Sequence, residues 1–158
     1  LKKLSPEDWR NERIKLRPLL TEDNLIYAAC DCQLTEEQQE RVNPAWFSIE
    51  RAYLFPEANL PCLIENEQGE PIGFLNLCQW SAESDTSSWS CFIGRRHQKK
   101  DYGKAAAQLA LHILKTAAPE KPIKLATEAQ NLPAQSLYVS LGSQKLPEMD
   151  GDDLVFAL

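Results

Sequence analysis

Phe92-Ile93-Gly94-Arg95-Arg96-His97-Gln98-Lys99-Lys100-Asp101-Tyr102-Gly103-Lys104 is the stretch on which the reading of this chain turns. An apolar strand runs into a basic turn, and the turn runs directly into an Ala-rich segment. From Tyr102 to Ala117 the residues Ala106, Leu109, Ala110, Ile113, Leu114 and Ala117 recur at helical spacing, and Pro119 stops the helix. The first amides of such a helix lack intrahelical acceptors and sit at the positive end of its dipole. Together they form a natural phosphate site, to which Lys and Arg add charge. An ordinary β–α turn with lysines facing water is the alternative. The turn is not a P-loop, since it lacks the GxxxxGK[ST] spacing, and one glycine is too few for a dinucleotide fingerprint.

Charge is unevenly distributed around this unit. The chain carries a net −6, which argues against non-specific nucleic-acid binding. From Glu22 to Asp85 there are thirteen acids and two bases, Arg41 and Arg51, a net of −11. From Arg95 to Lys104 there are five bases (Arg95, Arg96, Lys99, Lys100 and Lys104) and one acid, a net of +4. An acidic protein that gathers positive charge into ten residues suits an anion there.

On the N-terminal side of the turn, Ser87 to Gly94 is the last of three antiparallel strands. The others are Pro61–Glu65 and Pro71–Cys78, flanking the polar turn from Asn66 to Glu70. Further upstream, Ile14–Pro18 alternates apolar and polar residues as a first strand. Thr21 opens a short helix, and Gln33 to Phe55 is predicted helical in two pieces broken at Asn43-Pro44, with Ser48 capping the second. Downstream, Pro122–Thr127 is a short strand, Pro133–Leu141 a helix ended by Gly142, and Asp153–Leu158 a last strand. This order predicts an α/β (α+β) architecture: a mixed central sheet of six to seven strands flanked by about four helices.

The 158 residues, 43% apolar and 25% charged, suit one domain over 1–158, with 1–11 as an N-terminal extension. No apolar stretch approaches a membrane span, and Leu1 to Asp8 lacks the apolar core of a secretion signal; without an initial Met, further residues are expected to precede it. Five cysteines without a CxxC pair favour a reduced, cytoplasmic compartment. His97 and His112 have no soft ligand near them in sequence, so no metal site is expected. Oligomeric state stays open, a homodimer included.

The basic turn resembles the coenzyme-binding motif of the GNAT acetyltransferase superfamily, Gln/Arg-x-x-Gly-x-Gly/Ala, with Gln98 and Gly103 in the outer positions. Asn131-Leu132-Pro133-Ala134-Gln135-Ser136-Leu137-Tyr138-Val139-Ser140-Leu141-Gly142 looks like the family's N-x-x-A-x-x-L-Y-x-x-L-G. Gln38 to Pro44 followed by Ser48 to Tyr53 is similar to the pattern of bacterial spermine/spermidine-type small-amine acetyltransferases. Three departures stand out. Asp101 replaces the middle glycine, placing a Cβ and a negative charge where two phosphates are expected; Ser90 stands where polyamine-type relatives often carry arginine; Ser143 replaces an aromatic residue.

The resemblance implies acetyl-CoA as co-substrate, lying where two parallel strands splay apart, here Ser87–Gly94 and Ile123–Thr127. Its pantetheine arm would pair with main-chain groups of Phe92, Ile93 and Gly94. Its pyrophosphate would be capped by amides from Gln98, Lys99, Lys100, Asp101, Tyr102, Gly103 and Lys104. Tyr138 would protonate the departing thiolate, and Asn131 would bond the coenzyme or cap its helix. The implied reaction is direct attack by a primary amine of a small cationic, polyamine-like acceptor. Glu36, Glu37 and Glu83 are candidate carboxylates around that acceptor, and Trp46 and Tyr53 candidate stacking partners. Glu128 could be a base or an exposed loop acid. Other readings are a protein or aminoglycoside N-acetyltransferase, or a non-catalytic CoA-binding module weakened by Asp101.

Overall fold

The computed structural model describes residues 3–78 and 84–158. Two antiparallel sheets follow the chain order. The first holds β1 (Ile14–Pro18), β2 (Asn59–Asn66), β3 (Pro71–Cys78) and β4 (Ser88–Ile93) as neighbours in that order; the second places β7 (Asp153–Ala157) between β5 (Lys124–Thr127) and β6 (Gln144–Asp150). A parallel bridge, Ser87 to Ile123, joins them. The mixed central sheet expected from sequence is thus two antiparallel halves hinged at one point.

The helices are α1 (Glu22–Ile26), α2 (Glu36–Gln39), α3 (Ala45–Leu54), α4 (Tyr102–Ala117) and α5 (Leu132–Ser140), with a π turn over Tyr27–Asp31 after α1. Thr21 caps α1 by accepting from Asn24 N–H. The break at Asn43-Pro44 is observed, but α3 starts at Ala45 behind Pro44 and Ser48 is buried within it. Its expected capping role is therefore wrong. Proline at the boundary suffices, because its ring already sets the helix entry and it has no N–H to satisfy.

The two faces of the first sheet carry separate cores. On one, Ile14, Leu16, Ile64, Ile72, Leu75, Leu77 and Ile93 pack against the apolar face of α4, which contributes Ala106, Leu109, Ala110, Ile113 and Leu114. On the other, Leu63, Phe74 and Phe92 meet Ala28 and Ala45. Each large aliphatic or aromatic side chain so buried contributes about 1.5–3 kcal/mol, so α4 is the best-secured helix in the fold.

Residues 4–11, read from sequence as an extension, are tied to α4. Leu4 and Trp9 pack on the first core, Asp8 meets His112 at 3.0 Å, and Asn11 Nδ2 donates to Ala105 O at 3.0 Å. The strand β6 is absent from the sequence reading. It is exposed along nearly its whole length and carries Pro147. It pairs with β7 through a register that shifts between Lys145 and Met149, and Glu148 accepts from Lys124 Nζ of β5 at 2.6 Å.

Candidate active site

Main-chain parity along β4 determines what the splayed edge offers. Gly94 N–H donates to Ile72 O at 2.8 Å. In the antiparallel register with β3, where Phe92 faces Phe74 and Ser90 faces Asn76, Ser88, Ser90, Phe92 and Gly94 therefore turn their main-chain groups toward β3. Trp89, Cys91 and Ile93 turn theirs to the opposite edge. Ser87 opens that edge by donating to Pro122 O and accepting from Lys124 N–H, both at 2.9 Å. Beyond this bridge β4 and β5 part. Ile123 exchanges both of its bonds with Leu158, so by the same alternation Lys124 and Ala126 face the gap from the β5 side.

The expectation that Phe92, Ile93 and Gly94 all present free main-chain groups is thereby corrected: Phe92 and Gly94 are committed to β3. Among the described residues the N–H groups of Trp89, Cys91 and Ile93 meet no main-chain acceptor. The Ile93 carbonyl is already occupied, because Gln98 Nε2 donates to it at 2.9 Å and to Gln38 Oε1 at 2.5 Å. The Gln98 side chain staples the end of β4 to α2 and is not free for a phosphate; only its main chain faces the turn.

The turn itself takes two left-handed residues without glycine, Lys99 at φ 59° and Asp101 at φ 61°. Aspartate is among the residues that bear this conformation best, which is how the loop forms despite the missing glycine. Asp101 occupies the N-cap position of α4, yet its carboxylate caps no amide and is exposed. The amides of Tyr102, Gly103 and Lys104 are left without intrahelical acceptors, whereas Ala105 N–H bonds Asp101 O at 3.0 Å. Successive left- and right-handed residues also turn neighbouring N–H groups toward one concavity.

Gly103 supplies a test of fit for a diphosphate. A Cβ there would meet only Ile93 Cγ1, at 3.9 Å, and its φ is not positive, so the fold does not require glycine. A helical glycine costs about 1 kcal/mol relative to alanine, and the bare Cα leaves room for close approach by an anion. The Tyr102 side chain, in contrast, is buried behind the turn, its hydroxyl donating to Glu67 Oε2 at 3.1 Å.

Tyr138 lies on α5, its ring edge-on to Phe156 at 5.7 Å. Burial, with the neighbouring Cys91 thiol and the Asp153 carboxylate adding to it, raises the phenol well above its ordinary range. It is held neutral at physiological pH, as a proton donor must be. Asn131 caps α5, accepting from Ala134 N–H at 3.3 Å. Glu128 is an exposed residue just past β5.

On the opposite face of β4 lie two cavities. A cavity of about 560 Å³ is lined by Ala28, Cys30, Cys32, Gln33, Leu34, Gln39, Val42, Ala45, Phe92 and Arg95, among others. A second, of about 240 Å³, is lined by Asn59, Asn76, Ser88, Ser90, Phe47 and Arg51, among others. The structure does not gather the expected acceptor residues on these walls. Glu36 and Glu37 are exposed on α2, where Glu37 pairs with Arg41 at 3.0 Å. Trp46 and Tyr53 are 55% and 86% exposed on α3 and line neither cavity. Glu83 lies outside the described residues. Among the described residues no group of three His, Cys, Asp or Glu is placed to hold a metal ion, and no helix is long and apolar enough to cross a membrane.

The model of the acetyltransferase (GNAT) family matches residues 25–142, three quarters of the chain. The chain belongs to the GNAT acetyltransferase family. GNAT acetyltransferases use acetyl-CoA. No curated protein matches the sequence significantly, but solved structures match the fold throughout. An acetyltransferase from Agrobacterium tumefaciens is 17% identical, with 94% of this chain and 92% of that one covered and a TM-score of 0.71. Mycobacterium smegmatis RimJ in complex with CoA-disulfide is 19% identical over 92% of this chain and 81% of that one, at 0.71. The spermidine/spermine N-acetyltransferase SpeG from Vibrio cholerae, in mutant form, is 18% identical over 93% of this chain and 92% of that one, at 0.66.

Proposed function

We propose that this GNAT acetyltransferase moves the acetyl group of acetyl-CoA to a primary amine of a small cationic, polyamine-like acceptor by direct attack. The observation that carries the transfer is the opposition across β4: an unpaired main-chain edge beside a neutral phenol on one side, and open cavities on the other. The neutral amine forms its C–N bond at the thioester carbonyl. The developing oxyanion needs a fixed donor, and parity supports the Cys91 or Ile93 N–H for that role. As the C–S bond breaks, Tyr138 gives its proton to the thiolate and regains one from solvent, while the amine sheds its own. The amides of Lys99 to Lys104 hold the diphosphate, and Lys99, Lys100 and Lys104 add charge.

The cationic acceptor is supported by the acidic run from Glu22 to Asp85 and by Glu36, Glu37 and Glu40 exposed on α2 and at its end, beside the Gln39 that lines the larger cavity. These acids act at a distance, as a field that draws a cation to the entrance. A protein amine is the second reading, favoured because among the described residues no carboxylate lines the 560 or the 240 Å³ cavity, where Arg95 and Arg51 are the charged groups; Asp31 and Glu70 line only the adjoining cavity of about 420 Å³, together with Arg95 and Arg96. Thiol release from acetyl-CoA, measured with diamines, polyamines, aminoglycosides and an N-terminal peptide, decides between them. Turnover with spermidine-like amines alone is the expected result. Turnover with peptide alone overturns the cationic-metabolite reading, and coenzyme binding without turnover on any amine overturns catalysis.

A further inference from the structure

The phosphate turn has a support that lies outside its own motif. Arg13, just before β1, sends Nη2 to Lys100 O at 3.1 Å and Nε to Glu67 Oε1 at 2.7 Å. Its guanidinium lies 5.0 Å from the centre of the Tyr102 ring, and the Tyr102 hydroxyl donates to the other oxygen of Glu67 at 3.1 Å. Glu67 is itself fixed by the β2–β3 turn, where Asn66 Oδ1 accepts from Gln68 and Glu70 N–H at 3.0 and 2.9 Å and Gly69 adopts φ 77°. Two residues earlier in the chain, Asn11 ties the same segment to Ala105 O. The Lys100 carbonyl that Arg13 holds lies between the two left-handed residues, Lys99 and Asp101.

Glycine takes the left-handed conformation freely, and an L-residue resists it. A turn that holds two left-handed L-residues, Lys99 and Asp101, relaxes toward other conformations unless something outside it fixes its peptide planes. We propose that Arg13, seated on Glu67, is a positioning residue for coenzyme binding: it locks the Lys99–Asp101 peptides so that the turn's amides converge on the diphosphate. The planar fork of a guanidinium reaches the carboxylate and the carbonyl at once, which a lysine ammonium on a single flexible stem does not reproduce. This inference rests on the coenzyme reading given under the proposed function. It assigns a role to a residue that precedes the segment matched by the family model.

Calorimetry with CoA on the full chain, together with steady-state kinetics, tests it. Arg13→Ala and Arg13→Lys should each weaken CoA binding by about tenfold, raising the KM for acetyl-CoA with kcat and the acceptor KM nearly unchanged. A merely structural loss would instead lower Tm and the active fraction and leave the KM alone. The second arm is a double-mutant cycle with Asp101→Gly. Glycine relieves the strain that Arg13 opposes, so Arg13→Ala should cost several-fold less in the Asp101→Gly background. Equal penalties in both backgrounds, or an Arg13→Ala protein that binds CoA like the parent, would overturn the proposal while leaving the coenzyme reading intact. No heat from the parent protein itself would overturn that reading and this inference together.

Discussion

Tyr138 is marked as a candidate by the motif around it, but its surroundings are not legible in the sequence. In sequence it is a helical tyrosine between Leu137 and Leu141; in the structure it stands edge-on to Phe156, with Cys91 close enough to act on its titration. Tyr138→Phe keeps the ring contact and removes the proton. It should lower kcat by roughly a hundredfold or more with CoA affinity unchanged, read by single-turnover kinetics beside calorimetry; a kcat within threefold of the parent would remove the phenol from the chemistry. Gln98 shows the reverse case. The motif marks it as a coenzyme residue, yet its side chain is spent on Ile93 O and Gln38. No local pattern could have revealed a bond across sixty residues of chain.

Among the elements, most strands and helices follow from alternation, helical spacing and proline or glycine stops. β3 and α4 coincide with their predicted bounds, because both are long, strongly patterned and flanked by breakers. β6 escaped because an exposed edge strand holding Pro147 has neither a buried face nor a regular period. The β3–β4 pair depends on an approach that sequence does not announce: a Cβ on Gly73 would stand 2.5 Å from Phe92 O. Gly73→Ala must therefore push β4 away from β3 and distort the edge that faces the cleft. A loss of about 1–3 kcal/mol in denaturant unfolding, with acetyl-CoA KM raised, is the expected outcome; an unchanged midpoint would mean the sheet absorbs the methyl elsewhere.

Across the molecule, buried protons and surface charge act in different ways. Burial pushes the Cys91 thiol from 9.0 up to about 12, and raises the Cys62 thiol and the Tyr138 phenol in the same direction. The folded chain keeps protons that the unfolded chain sheds, so this contribution is complete below about pH 9 and fades as pH climbs toward 12. Tm should fall through that window, and Cys91→Ser, which cannot ionise there, should make the fall shallower; an identical slope would show that the thiol is not held in its protonated form. For the surface, reversing Glu36 and Glu37 together to Lys should raise the KM for a diamine severalfold at low salt, with the difference shrinking at high salt. An unchanged KM at low salt would separate these acids from acceptor capture.

The family, and every strand and helix but β6 with the short pieces around α2, could be read along the chain, because each is written in local periodicity or in a short contiguous motif. Which main-chain groups of β4 remain open could not, since the Gly94–Ile72 bond sets their parity. Nor could the chain alone show that the acids of α2 stay off the cavity walls, or that Arg13 and Glu67 brace the turn. Those outcomes depend on register and on contacts between residues tens of positions apart. Such pairings are made by the packing of sheet and helix, and no single stretch of chain encodes them.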